Sequence, residues 1–267
     1  MSAKGKKIVE VENLSVGYGN NLVLKDINFT VNTGDIFGIL GDSGAGKSTL
    51  LKHMIGLYNP FSGDVKIFGE SIVNCAEYEK NKLMRSFGVT YQGGALLGSM
   101  TVGENIALPI ETYTDLNKTD ILKRIKEKLA LVDLVGTEDV MPSELSGGMK
   151  KRAGLARALA LNPSLLFFDE PSAGLDPITS VELDELLSRL RDQFNTTIVI
   201  VTHELASIFG ITDTIIMLSK DAKTMVAEGD PKELREKSTS PWVHDFLNRQ
   251  EHNKAKQNIK YETGDFL

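Results

Sequence analysis

Gly41-Asp42-Ser43-Gly44-Ala45-Gly46-Lys47-Ser48-Thr49 decides how the rest of the chain is read. It follows an apolar, strand-like run, Ile36 to Leu40, and leads into a helical one, Thr49 to Gly56. Gly41, Gly46, Lys47 and Ser48 fill the template G-x-x-x-x-G-K-[ST], and strand–loop–helix is the setting that template requires. Glycines there free backbone N–H groups to wrap a phosphate, Lys47 neutralises phosphate oxygens, and the Ser48 hydroxyl is suited to ligate Mg²⁺.

Two further stretches answer to this one. Leu165–Phe168 is an apolar run ending in Asp169-Glu170. A buried strand that delivers two carboxylates at its C-terminal end places them at the ligand edge of an α/β sheet. Asp169 is read as part of the Mg²⁺ shell and Glu170 as the group that polarises an attacking water. The other stretch is Leu145-Ser146-Gly147-Gly148-Met149-Lys150-Lys151, which opens directly into a helical pattern, Met149 through Leu161. Ser146, Gly147 and Gly148 offer bare N–H groups at the positive end of a helix dipole, a second layout for an anion. Two phosphate sites in one modest domain are economically explained if each serves a nucleotide shared with a second copy of the chain.

The pattern around these motifs is legible. Ile8–Leu14, Leu22–Val31, Asp35–Leu40 and Val65–Phe68 read as strands, with Asn32-Thr33-Gly34 as a turn. From about Met100 to Pro163 the periodicity is helical. Ile121, Leu122, Ile125, Leu129 and Val132 form an apolar face, and Lys123, Arg124, Lys126 and Lys128 a solvated one. From Leu165 strands and helices alternate: strand Leu165–Phe168, helix Ile178–Arg191, strand Thr197–Val201, helix Glu204–Gly210, strand Thr214–Leu218. Alternation of this kind predicts parallel strands with helical crossovers. Residues 251–267 read as a polar, loosely ordered tail.

Composition sets bounds. The 267 residues allow one large α/β domain, or one with an inserted subdomain. A single cysteine, Cys75, permits no internal disulfide and fits a reducing cytosol. No apolar run approaches the roughly 18–20 residues of a membrane span, so the chain is expected to be soluble. Ile8-Val9-Glu10-Val11-Glu12 alternates like a strand and is no signal-peptide core. A formal charge of −6 argues against a sequence-independent nucleic-acid binder.

Taken together, these motifs resemble the nucleotide-binding subunit of an ABC transporter, over a span from about Ile8 to about Gln250 with a helical insertion at about 93–163. The resemblance implies a P-loop NTPase core with a parallel sheet, an N-terminal antiparallel β subdomain and an inserted α-helical subdomain, binding ATP and Mg²⁺ and hydrolysing ATP. Carried over by position, Tyr18 would stack on adenine, and Gly41, Asp42, Ser43, Gly44, Ala45, Gly46, Lys47, Ser48 and Thr49 would hold the phosphates. Gln92 would contact Mg²⁺ and the lytic water, Ala173-Gly174-Leu175-Asp176 would cross the dimer interface, and His203 would contact the γ-phosphate. Ser48, Gln92 and Asp169 make up the implied metal set; Glu170, His203, Gln92 and Lys47 the catalytic one.

Within that family, Gln92-Gly93-Gly94-Ala95-Leu96, Met149 to Arg152 and Asp176-Pro177-Ile178-Thr179-Ser180 resemble the Mla/MCE-type lipid-transport ATPases, as does Pro241-Trp242-Val243-His244-Asp245-Phe246-Leu247. Leu97 departs from the pattern, where relatives often place an aromatic residue. The subfamily implies phospholipid transport, a separate membrane permease, an MCE-domain lipid-binding subunit, no nucleic-acid partner, and a place on the cytoplasmic face of the inner membrane. An importer of amino acids or other polar solutes shares every ATPase motif and is the alternative. A groove beside Gln92, lined by Leu96, Leu97, Met100 and the helix from Val102 to Ile110, is the expected seat of the permease.

Overall fold

The computed structural model describes residues 5–248, so the tail expected at 251–267 lies outside the described residues. The chain opens with two long antiparallel strands, β1 (Lys7–Tyr18) and β2 (Asn21–Asn32). Strand β3 (Ile36–Gly41) runs into helix α1 (Lys47–Met54), followed by β4 (Ser62–Ile67) and the short β5 (Glu70–Ser71). Next come α2 (Glu77–Met84), β6 (Phe87–Thr90), α3 (Val102–Tyr113), α4 (Lys118–Leu131), a 3-10 turn (Pro142–Glu144) and α5 (Gly147–Ala158). The alternating part comprises β7 (Leu165–Asp169), α6 (Pro177–Phe194), β8 (Thr197–Val201), α7 (Leu205–Ile211) and β9 (Thr214–Ser219). A hairpin strand β10 (Thr224–Gly229), helix α8 (Pro231–Lys237) and a helical stretch over 241–248 follow.

Two sheets result. One is antiparallel, in the order β2-β1-β4-β5; the other runs β10-β9-β3-β8-β7-β6. In the second, β3 pairs in parallel with β8 and β9, and β7 with β8 and β6, while β10 is antiparallel at the edge. This is the α/β class anticipated from the strand–helix alternation. The central strands are apolar along their whole length because helices cover both faces: every residue of β3 and β8 is buried. One core joins the antiparallel sheet, α1 and one face of the parallel sheet; a second joins α3, α4, α5 and α6 to the other face.

Register then fixes where the chemistry falls. Ile39 pairs with Val201, Asp169 with Val201, and Thr90 with Phe168. The C-terminal ends of β3, β8, β7 and β6 therefore lie along one edge. The loops leaving them carry the 41–49 segment, His203, Glu170 and Gln92.

Two expectations for α4 are corrected. Leu122 is exposed, while Lys128 is buried and donates to the Asn162 side chain. The four-carbon stem of lysine packs as apolar surface when its tip finds an acceptor, which a count of charges does not register.

Candidate active site

A cleft of about 990 Å³ opens at that sheet edge, lined by Gly41–Gly44, Gly46–Thr49, Gln92, Glu170 and His203, with Glu204, Leu205, Val23 and Phe246. Gly46 caps α1 with φ 93, and a Cβ there would meet Val23 Cγ1 at 2.8 Å, so the loop closes on β2 only with glycine. No side chain caps this helix, which leaves its first N–H groups pointing into the cleft. Lys47 is buried and donates to the carbonyls of Gly41 at 2.9 Å and Asp42 at 3.2 Å. Burial pushes its ammonium down, opposed by the charges of Glu170, Asp42 and Asp169. An anion of high charge among these groups would be its natural counter-ion.

Ser48 Oγ donates to Asp169 Oδ1 at 2.8 Å. Burial raises the Asp169 carboxyl, the Ser48 hydrogen bond lowers it, and the neighbouring Glu170 raises it again. This hydroxyl–carboxylate pair is a hard-oxygen set suited to Mg²⁺, which takes one or two protein ligands and fills its octahedron with phosphate oxygens and water. Among the described residues no cluster of three His, Cys, Asp or Glu side chains forms a dedicated metal cage.

Glu170 leaves β7 with φ 53, a left-handed conformation that costs a non-glycine residue of order 1–3 kcal/mol. Its N–H is tied to the Val201 carbonyl at 2.8 Å, which holds the turn. His203 Nδ1 lies 3.0 Å from Glu170 Oε1 and 2.9 Å from Oε2. Only the first contact has hydrogen-bond geometry, so Oε2 is buried without a donor. A strained carboxylate with one oxygen oriented and the other unsatisfied is arranged to accept a proton from water. Gln92, exposed at the end of β6, lines the same cleft.

Ser146, Gly147 and Gly148 are elsewhere. Ser146 Oγ caps α5 by accepting from Met149 N at 3.3 Å; Ser146 and Gly147 are exposed, and none of the three lines the cleft. The body of α5 is anchored: Arg152 pairs with Asp133 and Glu182, each at 2.9 Å, and Lys151 donates to the Ala173 carbonyl. The loop after Gln92 packs on the same helix, where a Cβ on Gly154 would meet the Gly94 carbonyl oxygen at 2.6 Å. Asp176 caps α6 through the N–H groups of Ile178 and Thr179, both at 3.1 Å. Tyr18, at the end of β1, stands 40% exposed beside Tyr58 rather than in the lining of the cleft.

The lining residues Glu204, Leu205 and Phe246 carried no sequence signal for the site. They follow His203 directly or arrive from the helical stretch over 241–248, whose Phe246 packs with Trp242.

The expected groove beside Gln92 is met only in part: a cavity of about 380 Å³ there is lined by Leu96 with Tyr91, Gly93 and Lys150. Val102, Ile106 and Ile110 are fully buried in the second core, and of the named apolar residues Leu97 and Leu108 are exposed. A larger groove of about 750 Å³ lies between α2, β6 and the later half of α3, lined by Arg85, Leu108, Pro109, Tyr113 and Arg157. Arg85 sits 4.3 Å over the Tyr113 ring, and Arg157 reaches the Gly94 carbonyl at 3.3 Å.

Comparison with known proteins places this geometry. The family described as ABC transporter matches residues 24–173. The chain is 40% identical over 90% of its length to the probable ribonucleotide transport ATP-binding protein mkl of Mycobacterium bovis, spanning 66% of that protein. It thus spans just under two thirds of that relative. It is 39% identical over 85% of its length to the methionine import ATP-binding protein MetN of Clostridium acetobutylicum, covering 70% of MetN. With the intermembrane phospholipid transport system ATP-binding protein MlaF of Haemophilus influenzae it shares 37% identity over 86% of each chain. Among solved structures, the dimeric post-hydrolysis state of the ATP-binding cassette MJ0796 bound to ADP and Pi superposes with TM-score 0.76, at 30% identity over 84% of this chain and 98% of that one.

Proposed function

This chain belongs to the ABC transporter family and is an ATPase of that class, and we propose that it powers phospholipid transport across a cell envelope through a separate permease. The observation carrying the lipid reading is the MlaF match, which extends over 86% of both chains, whereas mkl and MetN each run well beyond the matched part. The Gln92–Leu96 and Asp176–Ser180 runs support it. A MetN of Enterococcus faecalis, 43% identical over 200 residues, favours import of an amino acid as the second reading.

In the proposed cycle Tyr18 stacks on the base, and the N–H groups of Gly41–Thr49 and Lys47 cradle the phosphates. Ser48, Asp169 and Gln92 would hold Mg²⁺, which when bound supplies charge neutralisation at the phosphate oxygens. Glu170 takes the proton of the lytic water while His203 and Gln92 hold the γ-phosphate in line. Ser146 and Gly148, outside the lining of their own cleft, complete the site of a second copy, so that two nucleotides lie between two chains. Binding then favours the closed pair and hydrolysis releases it. The permease rests in the Arg85–Arg157 groove, from which Arg157 touches the Gly94 segment that leads back to Gln92. An MCE-domain subunit on the far side of the membrane would pass on the lipid.

Reconstitution with the permease in phospholipid bilayers tests this reading. ATP turnover should respond to phospholipid composition and be indifferent to free amino acids. Stimulation by methionine at a rate indifferent to lipid would replace phospholipid by the importer's substrate.

A further inference from the structure

His53 occupies the last turn of α1 with its side chain fully buried, yet it belongs to no step above. Its Nδ1 lies 2.7 Å from the Thr49 carbonyl oxygen. A carbonyl only accepts, so Nδ1 carries the hydrogen. Nε2 is buried with no partner. An orphaned ring nitrogen is a cost that an apolar aromatic ring would avoid. What histidine adds is the donor that ties the ring to its own helix one turn back.

The ring so fixed is the floor of an aromatic cluster. Its centroid lies 5.9 Å from that of Tyr18 and 5.7 Å from that of Tyr58; Tyr18 and Tyr58 meet edge to face at 5.1 Å and 88°. Tyr18 and Tyr58 remain 40% and 48% exposed, so the cluster shows aromatic surface to solvent while its base is locked. Helix α1 thus carries the phosphate-facing Lys47 and Ser48 at one end and the support of Tyr18 at the other.

We infer that His53 is a positioning residue for the nucleoside: it pins Tyr18 to the helix that begins at the phosphate loop, so base and phosphates are held by one rigid unit. The inference rests on the proposed role of Tyr18 as the base platform. Its consequence is a division of affinity. Loss of the pin should weaken ligands that possess a base and spare those that do not.

The experiment compares equilibrium binding of ATP and of inorganic tripolyphosphate to the full chain bearing His53→Ala, His53→Phe, Tyr58→Ala or Tyr18→Ala, each checked for cooperative melting. His53→Ala should weaken ATP about 3–10-fold, the factor of one lost aromatic pair, with tripolyphosphate affinity unchanged. His53→Phe, which restores a ring but not its tie to Thr49, should recover only part of that loss. Should the alanine variant fail to fold, Tyr58→Ala at the exposed rim carries the test, with a smaller loss of the same selectivity. Equal losses for both ligands, or no loss for either in a folded variant, would overturn the inference. Tyr18→Ala separates the two ideas. Selective loss there without loss at His53 and Tyr58 removes only the pin; no selective loss at Tyr18 removes the platform, and the pin with it.

Discussion

Helices α1 and α5 both open in a short stretch that holds glycine and serine, Gly46-Lys47-Ser48 and Ser146-Gly147-Gly148, but their surroundings differ in kind. At α1 the first turn has no side-chain cap; Lys47 is buried, and Ser48 is bonded to a carboxylate from β7. At α5 the serine caps its own helix and neither glycine lines the cleft. The first half-site is furnished by the ends of four strands of one chain, β3, β6, β7 and β8. The second is rigid on its inner side, through Arg152 and Lys151, and open on its outer side. If that end binds phosphate, as proposed, a surface must be brought to it. The contrast supports the proposed pair of copies.

The largest effect expected on the α1 side concerns water activation. Glu170→Gln keeps the side-chain shape and its His203 contact while losing the base, so turnover should fall at least ~100-fold with ATP binding retained. Turnover close to that of the unaltered complex, measured with the permease present, would assign the base elsewhere.

A smaller effect concerns the packing of α6 against α7, the helix that follows His203. Asp184 on α6 is pushed up to about 6, chiefly by burial and further by the charge of Glu204, with the Ser207 hydrogen bond opposing. Because its folded-state pKa is raised, the native chain binds this proton more tightly than the unfolded one. The stabilisation is therefore full below about pH 4 and is lost as pH rises through about 6. Asp184→Asn should stabilise the chain by about 2–3 kcal/mol at pH 7.5 and by little at pH 4, read by urea unfolding. An equal effect at both pH values would mean that Asp184 is solvated.

Much of this arrangement was legible in the sequence because the central strands are covered on both faces. Thr197–Val201 and Leu165–Phe168 read as continuous apolar runs, and the loop at Gly41–Thr49 has spacing that few other functions impose. The less legible parts fail for physical reasons. Strands β1 and β2 run past their apolar cores because Asn13 and Asp26, with φ 48 and 53, interrupt the alternation without ending the pairing. Helix α2 buries only Leu83, so no apolar stripe announces it. Strand β10 alternates half-buried and exposed residues at a sheet edge. Phe246 and His53 look like ordinary core residues in a linear reading; only the fold brings one to the cleft and the other beneath Tyr18.

Sedimentation of the isolated chain tests the shared site most directly, since no permease is then present to hold two copies together. Glu170→Gln should sediment as a monomer without nucleotide and as a dimer with ATP. Adding Ser146→Arg, which puts a bulky cation on the open end of α5, should leave a monomer with or without ATP. A double variant that dimerises as tightly as Glu170→Gln alone would contradict a site completed by Ser146 and Gly148 of a second copy.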